Sequence, residues 1–370
     1  MKKLAFGLMR LPMTENTEKP EIDLNRVCGM VDTFMENGFT YFDTAAPYHG
    51  GMSEVIFKKA VADRYPRDAY TVTDKLSLFM IEKAEDMQGF FDRQLEKLGV
   101  DYVDIYLIHS LSRNSYKKAQ EFGAFEFAAR LKQEGKAKHV GFSFHDTADI
   151  LDTILTDHPE IEYVQLQINY LDWEDDVIQS RQCYEVAVKH GKPVLVMEPV
   201  KGGALVDISE NAKKLLKDKE PEMSIPSWAI RFAASLDKVV MVLSGMSNEE
   251  QISDNISYMK DFVPLTDDEM KLTLECAEII RKDIPIKCTS CRYCVDDCPM
   301  NIAIPEYFSI YNDSKRFGLP KMGHLKEKYR KTAETNGKAS VCIECGMCEE
   351  HCPQKLPIRE FLKTVSEVFD

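Results

Sequence analysis

Near its C-terminus the chain repeats one cysteine pattern twice. Cys288, Cys291, Cys294 and Cys298 precede Pro299; Cys342, Cys345, Cys348 and Cys352 precede Pro353. Each run reads C-x2-C-x2-C-x3-C-P, the ligand spacing of bacterial proteins that hold two iron–sulfur clusters. Three closely spaced thiolates can wrap three irons of a cubane, and a more distant fourth caps the last iron. In two-cluster proteins that fourth cysteine serves the other cluster, so Cys298 and Cys352 are expected to cross over. Zinc sites usually pair two C-x2-C units across a gap, and disulfide frameworks belong to small secreted chains. Neither predicts a triple spacing that occurs twice with a proline behind it. The pattern therefore predicts two [4Fe-4S] clusters. Cys28, Cys183 and Cys276 are scattered and read as ordinary buried thiols.

The cysteine runs occupy only the last quarter of 370 residues, leaving about 285 ahead of them. That length suits one large α/β domain, and 44% apolar residues can fill its core. Short β-rich runs alternate with longer amphipathic ones over the first 260 residues. The β-like runs are residues 4–8, 40–43, 69–74, 103–109, 138–142, 163–167, 193–197 and 239–244. Helical periodicity marks 24–37, 53–62, 85–98, 119–134, 175–190, 224–235 and 249–259. Eight strands alternating with helices predict a (β/α)8 barrel. Runs such as 104–109 are almost continuously apolar, as strands buried on both faces should be. An open doubly wound sheet is the competing fold, but no G-x-G-x-x-G follows the first strand. The expected division is a barrel over 1–283 and a small, mainly helical two-cluster module over 284–370, with helical stretches near 304–313, 324–335 and 358–369.

Net charge is −14, all of it ahead of the cysteine module, which from Pro285 onward holds 13 Lys/Arg against 12 Asp/Glu. An acidic body argues against nucleic acid as a partner. No run of 18 apolar residues is present, so no membrane span is expected. Only six uncharged residues separate Lys3 from Arg10, too few for a signal peptide's apolar region. Free thiols and clusters together point to a reducing cytoplasm.

Barrel enzymes carry their chemistry at the C-terminal ends of strands. Asp43, Lys75 and His109 each end a β-like run, and Tyr48 lies in the loop after Asp43. Reducing a carbonyl needs hydride at carbon and a proton at oxygen. A tyrosine with an ordinary pKa near 10 holds its proton tightly, and a neighbouring ammonium would favour the phenolate. Lys75 is expected to do this for Tyr48, with Asp43 holding Lys75 and His109 orienting the carbonyl. Singly each has a plainer reading: a turn cap, a solvated lysine, a packed tyrosine, a satisfied histidine.

At FDTAAPYHGGMSE, with VTDK, DIYLIHS, GFSFH and VQLQINYLDW, the chain resembles the aldo-keto reductase family over roughly residues 1–260. The resemblance implies an Asp–Tyr–Lys–His tetrad at Asp43, Tyr48, Lys75 and His109, and reversible NAD(P)H-dependent reduction of a carbonyl to an alcohol with Tyr48 as general acid and base. It also implies that Ser143, Gln165 and Asn169 hold the nicotinamide carboxamide or frame the site. Met197 stands where the family often has a tyrosine stacked on the nicotinamide. The stretch 244–255, with Ser247 and Asn255, aligns with the adenosine-phosphate site. There Gly245 and Gln251 replace the family's lysine and arginine, and Glu249 and Glu250 stand nearby, so NADH is expected over NADPH. Ser247 reads as a helix N-cap. Lys201-Gly-Gly203 corresponds to a loop that touches the cofactor pyrophosphate. Candidate substrate-pocket walls are Met13, His49, the loop 110–116 and Trp173. The cysteine region resembles the helical two-cluster ferredoxin module of larger redox enzymes.

Two other readings stay open. Hydride carries two electrons and a cluster passes one, so an electron-linked enzyme would need a splitter such as flavin, or a ferredoxin-type partner. Alternatively the chain is an electron-transfer or interaction module with an idle barrel.

Overall fold

The computed structural model describes residues 2–15, 21–317 and 319–370. Eight parallel strands close into a barrel in chain order. They are β1 Leu4–Gly7, β2 Tyr41–Asp43, β3 Thr71–Leu76, β4 Val103–Leu111, β5 Ala137–Phe144, β6 Tyr163–Gln167, β7 Val194–Met197 and β8 Val239–Ser244. The barrel interior holds Ala5, Tyr41, Ile105, Leu107, Leu195, Met241 and Leu243 as one buried cluster, with Tyr163 and Met197 against it. Alternate residues face outward to the helices; Tyr106, for example, meets Phe91 edge-on at 4.9 Å. Gly141 lies opposite Tyr163, and a Cβ there would sit 2.3 Å from the Tyr163 carbonyl oxygen, so only glycine lets β5 approach β6 this closely.

The contacts divide the chain into two compact units. The first comprises residues 1–169, 179–199 and 229–266 and contains all eight strands. The second comprises 170–178, 200–228 and 267–370. Its core gathers Tyr307, Phe308, Ile310, Leu325, Tyr329 and Val365 among others, at the meeting of helices Ile304–Phe317, Leu319–Ala333 and Ile358–Phe369. Among the described residues no helix is long and apolar enough to cross a membrane.

Several elements differ from the sequence expectation. The helix expected over 119–134 is two helices, Arg113–Glu121 and Ala124–Gln133, because Gly123 takes a left-handed φ of 66° between them. Ser112 caps the first of these in a capping box with Ser115, so the expected loop 110–116 is strand end and helix. The helix expected from 175 begins at Ser180. Ahead of it the Asp175 carboxylate accepts from the Val177 and Ile178 amides, both at 3.0 Å, and holds a turn. Helix Glu210–Lys219 was not foreseen. Cys183 and Cys276 are buried, but Cys28 is only half-buried.

Candidate functional site

A period of two along each strand builds the first site. Tyr41 and Leu107 fill the barrel, and Tyr41 bonds the Thr73 hydroxyl at 2.6 Å. Two residues further along, on the same face, stand Asp43, Lys75 and His109. Lys75 is 1% exposed, and its ammonium donates to Asp43 Oδ1 at 2.7 Å and to the Thr44 carbonyl at 2.6 Å. Gln165 donates to the other Asp43 oxygen at 3.2 Å. Burial pushes the Asp43 carboxyl up, against the pull of Lys75.

Tyr48 joins from the loop after β2. The Lys75 ammonium lies 4.9 Å from its ring centre, and its ring meets His109 edge-on at 6.2 Å. The tyrosine edge reaches the surface, yet burial, then the Asp43 carboxylate, push its phenol well above 10. Lys75 is spent on Asp43 and the Thr44 carbonyl, and burial with the Asp43 carboxylate outweighs the lowering expected from it. His109 bonds the Ser77 hydroxyl through Nδ1 at 2.7 Å. Burial, then the Lys75 charge, hold its imidazole well below 6.5, so it is neutral near pH 7.

The backbone around this group is strained. His49, Ser110 and Glu198 have φ of 51°, 58° and 56°, a left-handed conformation that non-glycine residues keep only where the surroundings enforce it. β4 carries a register shift between Ile108 and Leu111, and the freed Ser110 amide donates to the Ser143 hydroxyl at 2.7 Å. Asn169 is fully buried and donates to the Glu198 carbonyl at 3.0 Å. Met197, half-buried, packs on the barrel interior. Thus Ser143, Gln165 and Asn169 are all brought to the strand ends, each already in one hydrogen bond.

Further along, Asn248 rather than Ser247 caps helix Glu249–Met259, accepting from the Gln251 amide. The Ser247 hydroxyl instead donates to the Arg10 carbonyl at 2.7 Å. Asn255 is buried, donating to the Ser244 hydroxyl at 2.7 Å and accepting from Tyr258. Glu249 is paired bidentately with Arg26 at 2.6 and 2.9 Å, which holds its carboxyl down at about 2. Arg26 lies 223 residues away in sequence, and nothing in the local pattern announced it. Of the expected pocket walls, His49 accepts from the Leu11 amide at 3.1 Å. Tyr116 is buried and donates to Asp157 at 2.7 Å. Trp173 belongs to the second unit and Met13 to the first.

Sequence reasoning missed a polar cluster behind Lys75. Glu54 and Asp74 are fully buried. The Gln94 amide reaches Asp74 Oδ2 at 2.9 Å, the Lys75 carbonyl at 3.0 Å and Glu54 Oε1 at 3.1 Å. Burial, then Glu54, push Asp74 well above its ordinary value. Asp74 next to Lys75 and the SE pair at 53–54 were visible in sequence, but nothing said they would meet.

In the second unit the cysteines line two small pockets. Cys288, Cys291, Cys294 and Cys352 line the first. Cys298, Cys342, Cys345 and Cys348 line the second. The fourth cysteine of each run thus lines the pocket formed by the first three of the other run. Ile304 borders both pockets. Among the described residues no three His, Cys, Asp or Glu side chains converge tightly enough for a single metal ion. Four thiols around each pocket match the ligand set of a [4Fe-4S] cluster. Backbone amides of Ser290 and Ile302 donate to the Cys288 and Cys298 sulfurs at 3.4 and 3.5 Å. Burial, then Cys291 and Cys288, push the Cys294 thiol up, and burial lifts Cys348 to about 11. Thiols gathered in this way ionise together only against a bound cationic centre.

Comparison with known proteins accords with both halves. The aldo/keto reductase family model matches residues 3–278, and a 4Fe-4S dicluster domain model matches residues 287–356. The chain is 25% identical to an NADH-specific methylglyoxal reductase of Escherichia coli, over 70% of this chain and 90% of that one. It is 29% identical to an aldo-keto reductase of a Mycobacterium species, over 64% and 77%. The holo form of an aldo-keto reductase from Bacillus halodurans superposes with a TM-score of 0.60 at 22% identity, covering 74% of this chain and 91% of that one. The match to the first model spans well over half the chain, and the protein belongs to the aldo/keto reductase family, with a 4Fe-4S dicluster domain following the reductase domain.

Proposed function

We propose that the first unit reduces a small aldehyde or ketone with NADH, reversibly, and that Tyr48 supplies the proton. The observation that carries this is the Tyr48 ring set edge-on to His109 at 6.2 Å and 4.9 Å from the ammonium that pairs with Asp43. A dinucleotide, when bound, would supply the hydride that the carbonyl carbon receives. The Tyr48 hydroxyl donates its proton to the carbonyl oxygen, forming the alcohol and leaving a phenolate that solvent reprotonates. His109, fixed by Ser77, can donate from Nε2 to the same oxygen and orient it. Ser143, Gln165 and Asn169 would hold the carboxamide, Met197 would lie against the ring, and Ser247 and Asn255 would border the adenosine end.

NADH is favoured because residues 244–255 contain no cation and expose Glu250. The Escherichia coli relative, named as NADH-specific, is in keeping with this. Arg26 neutralises Glu249 and weakens the repulsion of a 2′-phosphate from that side. We place the domain boundary at 283/284, the eight cysteines as ligands of two [4Fe-4S] clusters, and the protein in a reducing cytoplasm.

Tyr48→Phe tests the reading. General acid catalysis contributes about 10²–10⁴-fold, so kcat should fall by that much while iron content and dinucleotide affinity hold. Full turnover in the variant would remove Tyr48 from the mechanism. A second, electron-linked reading is favoured by one feature: Cys345 is exposed, and its neighbour Ile343 is 60% exposed. That leaves the second cradle an edge open to a ferredoxin-type partner. An anaerobic visible spectrum with a flavin assay after denaturation separates the two. Bound flavin near one per chain would replace the NADH reading.

A further inference from the structure

Lys201 is an unusual lysine. It is 1% exposed with a left-handed φ of 47°. Its ammonium donates to both oxygens of the fully buried Asp172, at 2.6 and 2.7 Å, and to Gln354 Oε1 at 2.9 Å. All three residues lie in the second unit. The next residue, Gly202, has a φ of 60°, and a Cβ on it would stand 2.2 Å from the Thr289 carbonyl oxygen. Thr289 and Gln354 line the first cysteine cradle, one residue after Cys288 and two after Cys352. Lys287, one residue before Cys288, is paired with Asp175. Arg281 donates to the Leu171 carbonyl at 2.7 Å.

Two segments, residues 170–178 and residues 200–204, are therefore tied to the backbone that carries Cys288 and Cys352. A buried ammonium is costly unless its partners stay in place. Those partners include a side chain, Gln354, whose position depends on where Cys352 is held. Ligation of a cluster fixes Cys288 and Cys352 together, and metal binding of this kind contributes folding energy to the segments packed on it.

We propose that Lys201 and Gln354 are positioning residues. Through them, occupancy of the cradle formed by Cys288, Cys291, Cys294 and Cys352 sets the order of residues 170–178 and 200–204. The other cradle does not share in this, because Lys287, Thr289 and Gln354 all flank ligands of the first. Residues 201–203 are the stretch that family resemblance sets against a dinucleotide pyrophosphate. The consequence for cofactor binding thus rests on the reductase reading, whereas the ordering itself does not.

Hydrogen exchange on the full-length, anaerobically purified protein tests this without any turnover. Cys291→Ser removes a ligand of the first cradle only, and Cys345→Ser one of the second only, with iron content and visible spectra verifying each loss. Peptides covering 170–178 and 200–204 should exchange about tenfold faster or more in Cys291→Ser and keep their protection in Cys345→Ser. Peptides of β3 and β4 should not change in either. Gln354→Ala keeps every cysteine; it should loosen the same two segments with iron content unchanged, and it decides the matter if Cys291→Ser fails to fold. Unchanged exchange in Gln354→Ala, or equal loosening in both cysteine variants, would overturn the proposal. A lack of NADH turnover with the exchange pattern as expected would instead count against the reductase reading alone.

Discussion

Replacing Lys75 by methionine keeps the bulk of a side chain that is 1% exposed and deletes the charge that faces Asp43 at 2.7 Å. Asp43 is then left in a buried site with Gln165 at 3.2 Å as its remaining named donor. Breaking a buried pair from one side costs about 3–5 kcal/mol when the orphaned charge persists. The carboxyl has an escape, since it can take a proton. Protonating it at pH 7 costs about 1.4 kcal/mol for each of the roughly three units above its ordinary value, about 4 kcal/mol in all. At pH 5 the same operation costs about 1.5 kcal/mol. The sign follows from the direction of the shift. A carboxyl whose native pKa is raised loses stability as pH rises, so the penalty of Lys75→Met should grow between pH 5 and 7. Asp43→Asn on top of Lys75→Met should recover most of it. Anaerobic urea unfolding of the full chain, followed by circular dichroism at both pH values, measures these differences. A penalty that does not depend on pH, or a double variant no more stable than Lys75→Met, would refute the claim that an orphaned Asp43 charge is the cause.

Asp74 sits fully buried beside Glu54 with its pKa raised, so native stability should fall as pH rises through that value. Asp74→Asn should remove this loss and melt higher than wild type at alkaline pH, which a Tm series against pH would show. Gly141→Ala drives a methyl to 2.3 Å from the Tyr163 carbonyl and should destabilise by about 1–3 kcal/mol through overpacking, measurable as a lower urea midpoint. Cys298→Ser combined with Cys345→Ser strikes one cradle and should leave about four irons per chain, whereas Cys298→Ser with Cys291→Ser strikes both and should leave far fewer. Iron analysis distinguishes the pairings.

The barrel and its site were readable because both follow from short-range periodicity. Buried parallel strands appear as apolar runs, and a residue two places beyond a core position falls on the same face; that is enough to bring Asp43, Lys75 and His109 to one end. The placing of Cys298 and Cys352 beside the other run's cysteines was legible because cluster chemistry dictates spacing. What escaped depends on the left-handed region or on distance along the chain. Gly123 splits a helix that periodicity draws as continuous, and Asp175 spends its carboxylate on a turn and on Lys287. Arg26 meets Glu249, and Lys201 meets Gln354, across 223 and 153 residues. No local pattern carries such pairings.

The same point decides the state of Tyr48. A lysine close by in sequence logic suggests a phenolate within reach of neutral pH. In the folded chain that ammonium is claimed by Asp43 and the Thr44 carbonyl before it can act on the ring. Burial then prevails and the phenol keeps its proton. A protonated tyrosine is the form that reduction requires, and His109, held neutral, competes neither as a charge nor as an acid. Reductive kcat/KM should therefore stay level from about pH 6.5, the ordinary histidine value, to about pH 9, and decline only as the tyrosine ionises. Alcohol oxidation needs the opposite form and should rise over that alkaline range. An acid limb near the histidine value in the reductive profile, abolished by His109→Gln, would show that the imidazole titrates there after all, and that burial and the charge of Lys75 depress it less than the geometry requires.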